Sequence, residues 1–331
     1  MSGLLNKLKK TSKIEYASVL EESQFFNERE MVPTIIPALN IALSGELDGG
    51  LADGLLQIAG ESKHFKTSFA LYLASAFMKK YPEAVLLFYD SEFGSPKEYF
   101  KNFNVDTSRV LHCPITNVEQ LKFDLVNQLE NITREDKVFI LVDSIGNLAS
   151  KKEVEDAKEE KSVADMSRAK QLKSLTRMIT PFLTMHQIPC VMVNHVYRSI
   201  GSIFPQTIVG GGTGLTYSSN DIWIVGRSQE KGNDGTIKGY NFTINVEKSR
   251  KVKEKSKIEL NVSYESGVSK FSNMLPLAIE AGLVEKQPAG WYVKKGETTK
   301  CREKDLYTDE WLESLLTNES FKEFVKRKYK L

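Results

Sequence analysis

Residues 55–68 read Leu55-Leu56-Gln57-Ile58-Ala59-Gly60-Glu61-Ser62-Lys63-His64-Phe65-Lys66-Thr67-Ser68. A short apolar run, Leu55–Ala59, enters a polar loop that ends on Lys66-Thr67-Ser68. The apolar-rich stretch from there to about Lys80 predicts a helix. Strand, loop and helix form the setting in which the pattern G-x-x-x-x-G-K-[ST] holds phosphate. Gly60 to Thr67 fits it except at Phe65, where the second glycine should stand. The chemistry needs these residue types. Backbone N–H groups of Gly60, Glu61, Ser62, Lys63, His64 and Phe65, with the helix N-terminus, can cradle phosphate oxygens. Lys66 would neutralise the β- and γ-phosphates, the Thr67 hydroxyl would ligate Mg²⁺, and Ser68 completes the motif. Phe65 is a departure, because glycine reaches a backbone conformation that other residues avoid.

Working outward, further apolar runs stand at Val85–Tyr89, Val138–Val142 and Cys190–Val193. Helical patterns lie between them. Thr116-Asn117-Val118-Glu119 reads as a capping box opening a helix to about Leu129. Leu172, Leu175, Ile179 and Phe182 recur at helical spacing within about 166–186. Continuous apolar strands alternating with helices predict an α/β fold with a mostly parallel sheet covered on both faces. Beyond residue 221, Ile222–Val225, Tyr240–Val246 and Ile258–Tyr264 predict strands joined as hairpins. Helical pieces follow at Leu275–Ala281, Asp309–Leu316 and Phe321–Lys328.

In a parallel sheet, ligands sit beyond the carboxyl ends of the strands. Each run carries polar chemistry there: Asp90-Ser91-Glu92, Asp143-Ser144 and Asn194-His195. One such group alone is an ordinary turn residue; together with the loop they point to one nucleotide pocket. Asp143 then fits the carboxylate that holds Mg²⁺ through water. Glu92 fits the base that orients the attacking water, and His195 is placed to sense a γ-phosphate. His112 and His186 lack such a setting and are expected to be structural or solvated.

Composition narrows the class. The 331 residues carry 45 Lys and Arg against 43 Asp and Glu, a formal net charge of +2, which excludes a strongly basic nucleic-acid-coating protein and leaves any such contact to local patches. Cys113, Cys190 and Cys301 lack metal-ligand spacing and are expected as reduced thiols. No run approaches the ~20 apolar residues of a membrane span, and MSGLLNKLKK is too short and polar for a signal peptide, so a cytoplasmic location is expected.

The variant loop at Phe65-Lys66, FYDSEFG around Glu92, LVDSIGNLASKKE around Asp143 and the cluster Gly210-Gly211-Gly212 together resemble the RecA/RadA recombinase superfamily, and within it the UvsX-like recombinases of T-even-like phages. The resemblance runs from about Phe25 to about Tyr292, and the phage proteins share the phenylalanine before the loop lysine. It implies a RecA-like P-loop ATPase core over 31–272. A short N-terminal helical subunit-contact segment (1–30) would precede the core and a small C-terminal subdomain (273–331) would follow it. It implies an ATP- and Mg²⁺-dependent DNA strand-exchange enzyme that forms helical filaments on single-stranded DNA and pairs it with homologous duplex. Single-strand-binding and loader proteins would be partners, and the setting would be phage DNA metabolism inside the host cell. Tyr99 would stack on adenine. DNA-binding loops would span about 149–167 and 196–214, with Arg168, Gly211, Gly212 and Thr213 as DNA contacts. Phe25, Phe26 and Tyr217 would lie at subunit interfaces.

Val246-Glu247-Lys248-Ser249-Arg250 opens a basic segment reaching Lys257. By charge alone it is a solvated hairpin edge. The resemblance implies that Lys248 and Arg250 reach a neighbour's ATP site in trans. Phage relatives carry an acidic C-terminal tail, whereas this sequence reads Lys328-Tyr329-Lys330-Leu331 at its end. Two other readings fit the same core. One is a hexameric helicase, against which stands the absence of a primase-docking domain. The other is a non-catalytic nucleotide-gated mediator, against which stands the retention of Lys66, Thr67, Glu92 and Asp143.

Overall fold

The computed structural model describes residues 3–14, 16–23, 25, 30–159, 167–199, 206–232 and 234–331. Residues 1–30 and 31–331 form separate compact units. In the first, helix α1 (Gly3–Thr11) buries no side chain. Lys9 pairs with Glu22 at 2.8 Å, and the Tyr16 and Phe25 rings meet edge to face at 5.7 Å. Phe26 lies outside the described residues.

The second unit is built on a nine-stranded sheet. Its strands are β1 (Gly54–Gly60), β2 (Val85–Asp90), β3 (Val110–Pro114), β4 (Val138–Asp143) and β5 (Pro189–Asn194), then, past a small ribbon of β6 (Val196–Arg198) and β7 (Thr207–Val209), β8 (Asp221–Lys231), β9 (Ile237–Lys248), β10 (Lys257–Ser263) and β11 (Gly267–Val268). Their order is β11-β10-β9-β8-β1-β5-β4-β2-β3. Strands β8, β1, β5, β4, β2 and β3 run parallel, and β9 to β11 extend the sheet as antiparallel hairpins. The α/β class and mostly parallel sheet expected from the apolar runs are therefore present. Strand β3 is an addition: Val110-Leu111-His112-Cys113-Pro114 lies at the sheet edge, half-exposed, and carries no unbroken apolar run.

Helix α2 (Pro37–Ser44) precedes β1. Parallel strands need crossovers, and helices supply them. These are α3 (Lys66–Lys80), α4 (Lys97–Asn102), α5 (Val118–Glu130), α6 (Lys151–Lys158), α7 (Ser167–Met185) and α8 (Gly212–Ser218). Side chains of β1 alternate between faces. Leu56 and Ile58 enter one core with α2 and α3, whereas Leu55 enters the other with α5 and α7. In α7, Leu172, Leu175, Ile179 and Leu183 are fully buried while Phe182 is only half-buried, so the apolar stripe turns through Leu183. The cap of α5 is shifted one residue from the expected Thr116–Glu119 box. Asn117 is the N-cap and accepts from the Gln120 N–H at 2.9 Å, while the Gln120 side chain accepts from the Thr116 N–H at 2.8 Å. The amide side chains of Asn117 and Gln120 satisfy those N–H groups, leaving Glu119 to accept from the Lys151 N–H at 2.8 Å.

Residues 273–331 add α9 (Met274–Glu280), a three-stranded sheet of β12 (Val284–Gln287), β13 (Trp291–Lys294) and β14 (Lys300–Cys301), and helices α10 (Glu303–Leu306), α11 (Asp309–Leu316) and α12 (Glu319–Tyr329). Trp311, Leu315, Phe321 and Val325 join the same core as α2 and α3.

Candidate nucleotide site

Ala59 of β1 registers with Asn194 of β5, and Asp90 of β2 with Asp143 of β4, so the carboxyl ends of these strands form one rim. Beyond it lies a cleft of about 350 Å³. Its lining includes Ser62, Lys63, His64, Phe65, Lys66, Thr67, Ser68, Glu92, Tyr99, Asp143 and His195. Eleven of the residues expected at a nucleotide site from the sequence thus line one pocket, with Gly60 at the loop's entry.

Phe65 takes the left-handed backbone that the missing glycine would take, at φ 61° and ψ 19°, as N-cap of α3. The conformation costs a non-glycine residue about 1–2 kcal/mol. Its ring offsets that cost by packing on Phe69 at 5.3 Å and stacking on Phe242 at 5.2 Å. The aromatic row continues from Phe242 to Tyr240 and on to the exposed Tyr264. Around the loop, His64 Nδ1 donates to the Val225 carbonyl at 2.7 Å, and Arg227 donates to the Lys63 carbonyl at 3.1 Å. Lys66 donates to the Glu61 carbonyl at 2.8 Å. Burial holds its ammonium below the usual lysine range, while the nearby Glu92 and Asp143 oppose that effect.

Asp143 is buried, and its Oδ2 accepts from the Thr67 hydroxyl at 2.7 Å. Burial pushes its carboxyl up to about 6, against the pull of the Thr67 hydrogen bond, and Glu92 and Asp90 add to the rise. Its other oxygen, Oδ1, is buried without a hydrogen-bond partner among the described residues. A buried, unpaired carboxylate oxygen beside a threonine hydroxyl fits a hard cation that takes oxygen ligands. Among the described residues no group of three or more His, Cys, Asp or Glu could cage a metal alone, as befits an ion held largely by substrate phosphates.

Glu92 sits on a turn shaped by Asp90, a buried residue whose role the sequence reading left undefined. Asp90 Oδ1 accepts from the Glu92 and Phe93 N–H groups at 3.0 and 2.8 Å, and His112 Nε2 meets Oδ2 at 3.2 Å. His112 thereby supports the turn. Glu92 Oε1 accepts from Ser144 Oγ at 2.7 Å and Asn147 Nδ2 at 2.8 Å, with His195 Nε2 at 3.4 Å. Gly146 leaves room for the His195 ring, since a Cβ there would lie 2.4 Å from His195 Cδ2. Tyr99 is half-buried in contact with Phe103, and its hydroxyl is hydrogen-bonded to Ser68.

Behind His195 runs a buried polar chain. Asn194 Nδ2 donates to Gln57 Oε1 and to the Gly210 carbonyl, both at 2.9 Å, and Gln57 Nε2 donates to Ser219 Oγ at 2.7 Å. Gln57, the one polar side chain inside β1, was the signal in the sequence for this link to α8.

The residues expected at DNA or a neighbour lie elsewhere. Gly211 and Gly212 have φ of 91° and 79° and begin α8, with Thr213 exposed on its first turn. Tyr217 is 77% exposed. Lys248 Nζ donates to the Thr216 and Tyr217 carbonyls at 2.9 and 3.0 Å, closing the C-terminal end of α8 within its own chain. Arg250 is exposed. Arg168 does not point a free guanidinium outward: Nε donates to the Leu148 carbonyl at 2.6 Å, and Nη2 to those of Ile145 and Gly146 at 3.0 and 2.9 Å. Of the expected DNA loops, residues 160–166 and 200–205 lie outside the described residues.

No described helix is long and apolar enough to cross a membrane. The family model for the RecA N-terminal domain matches residues 7–269. The chain is 45% identical over a 342-residue alignment to the recombination and repair protein of Enterobacteria phage T4, covering 100% of this chain and 87% of that one. It is 28% identical over 273 residues to the protein RecA of Cereibacter sphaeroides, covering 80% and 75%. To the protein RecA of a Nocardioides species it is 27% identical over 268 residues, covering 80% and 74%. With a phosphate loop, paired carboxylates and a sheet of this order behind them, the chain belongs to the RecA family.

Proposed function

We propose that this chain is an ATP-dependent DNA strand-exchange recombinase of the phage type, a DNA-stimulated ATPase that works as a filament. The observation that carries the reading is the convergence of Lys66, Thr67, Asp143 and Glu92 on one cleft at the sheet's carboxyl rim. Membership of the RecA family supports it.

In this reading the loop from Gly60 to Ser68 wraps the ATP phosphates with its N–H groups, and Lys66 bridges toward the β- and γ-oxygens. Thr67 and the unpaired Asp143 Oδ1 would hold Mg²⁺, whose chemistry is to neutralise charge developing on the phosphates. Glu92 orients water and takes its proton as the water oxygen bonds the γ-phosphorus and the bond to the β-phosphate oxygen breaks. His195 reports the γ-phosphate, and Tyr99 stacks on adenine. Arg250, and Lys248 once drawn off α8, would complete a neighbour's site in trans, so that hydrolysis depends on assembly. Residues 1–30 and Tyr217 would build the subunit contact around the 31–272 core, with 273–331 as a C-terminal appendage. Gly211, Gly212 and Thr213 would grip a DNA phosphate through backbone N–H groups. Single-strand-binding and loader proteins are the expected partners at the DNA, within the phage-infected cell.

The test is ATP hydrolysis with and without single-stranded DNA, with negative-stain images of the same mixtures. Stimulated turnover with helical filaments is expected. Closed rings would replace the reading with a translocating helicase, and no stimulation with no assembly would overturn it.

A further inference from the structure

Two donors, Ser144 and Asn147, converge on a single oxygen of Glu92, with His195 Nε2 3.4 Å from it, and Asn147 has no role in the phosphate site described above. Asn147 ends the short 3-10 turn Ile145–Asn147 that follows β4, and its exposed amide donates to Glu92 Oε1 at 2.8 Å. That turn is not held by its own hydrogen bonds alone. The Arg168 guanidinium grips the carbonyls of Ile145, Gly146 and Leu148 at 3.0, 2.9 and 2.6 Å. Arg168 stands in the first turn of α7, and Leu148 lies just before the expected first DNA loop, 149–167. The two stems of that loop are therefore joined through one rigid planar fork. A second tie lies beside it, where Ser167 Oγ donates to the buried Ser150 Oγ at 2.6 Å. Ile145 and Leu148 are anchored in the core under α5 and α7, which leaves the exposed Asn147 as the part of the turn that faces the cleft.

We propose that Asn147 is a positioning residue that couples the first DNA loop to the Glu92 carboxylate, with Arg168 as the clamp that makes the loop stems and the 145–148 turn move as one body. The inference rests on the reading of Glu92 as the acceptor of the water proton and of 149–167 as a DNA loop. An amide donor on Oε1 fixes the plane of the carboxylate and directs proton uptake to Oε2, which carries none of the three contacts. A shift of the stems as DNA enters the loop moves Asn147, and with it the Oε2 atom on which the attacking water depends. Small displacements suffice, because reaction geometry tolerates little misplacement.

The experiment compares Asn147→Ala, the isosteric Asn147→Asp and Arg168→Gln with the wild-type chain. ATP turnover is followed across single-stranded DNA concentrations, and DNA affinity across salt. Glu92→Gln serves as the control. Both Asn147 variants are expected to lose DNA-stimulated kcat by about 10–100-fold, with the KM for ATP and the DNA affinity held within about twofold. Arg168→Gln is expected to lose stimulated kcat with an unchanged salt slope of DNA binding. Wild-type stimulated turnover in either Asn147 variant overturns the proposal, as does a loss that appears in DNA affinity rather than kcat. A salt slope reduced by about one in Arg168→Gln makes Arg168 a phosphate contact and overturns the clamp. Wild-type turnover in Glu92→Gln overturns the underlying reading of Glu92, a result distinct from the others.

Discussion

The ring of Phe65 lies 5.2 Å from that of Phe242 at an interplanar angle of 27°, so the residue that replaces the loop glycine is also a packing bridge from the phosphate loop to β9. Phe65→Gly relieves the left-handed strain but removes two aromatic contacts and part of the loop's anchorage. A net loss of about 1–2 kcal/mol in stability is expected, read as a lower urea midpoint at unchanged m-value. The KM for ATP should change little, because glycine keeps the backbone that cradles phosphate.

Asp143 gives a pH prediction. Its folded carboxyl is raised to about 6 by burial, above the ordinary carboxylate range of the unfolded chain. The folded state therefore binds more protons between roughly pH 4 and 6. The stability from this group is fully present below the unfolded value and is lost as pH rises through about 6. Asp143→Asn should make the nucleotide-free protein more stable at pH 7.5, on the order of 2 kcal/mol. That gain should vanish toward pH 4, while ATP hydrolysis is lost at every pH. Urea unfolding at the two pH values, beside a turnover assay, checks both halves.

Lys66 is buried and faces Glu92 and Asp143 across the cleft. Lys66→Ala should lower turnover by about two to three orders of magnitude and abolish ATP-dependent DNA binding. Filter binding to single-stranded DNA with and without ATP measures the second effect. Intact strand exchange in this variant would contradict the phosphate-site assignment.

Arg250→Ala should remove DNA-stimulated hydrolysis and leave nucleotide affinity of the subunit nearly intact, as read by a fluorescent ATP analogue. Lys248→Ala should differ. Its ammonium closes the C-terminal end of α8 on the Thr216 and Tyr217 carbonyls, an interaction of about 0.3–1 kcal/mol. A weakened DNA affinity, beside the loss of stimulation, is therefore expected for Lys248→Ala alone.

Much of the site was legible before any coordinates. Strands β1, β2, β4 and β5 are buried on both faces and read as apolar runs, broken only by Gln57 in β1, and a parallel sheet gathers whatever polar residues end such runs. Strand β3 was not legible because an edge strand, half-exposed, needs no apolar run. The small sheet of β12 to β14 was missed for a related reason. Its strands are two to four residues long, with a single buried residue in each of β12 and β13 and none in β14.

What the sequence by itself determined is the phosphate loop, the carboxylates and the α/β frame, because these depend on residue type and on spacing along one segment. Only the tertiary structure decided how the long polar side chains are used. Arg168 spends its guanidinium on carbonyls 20 to 23 residues back, and Lys248 reaches carbonyls 31 and 32 residues back. Asn147 reaches Glu92 across 55 residues. Such partners are chosen by which polar groups, backbone or side chain, lie unsatisfied within a side chain's reach once the sheet has formed, a property of the fold and not of any local pattern.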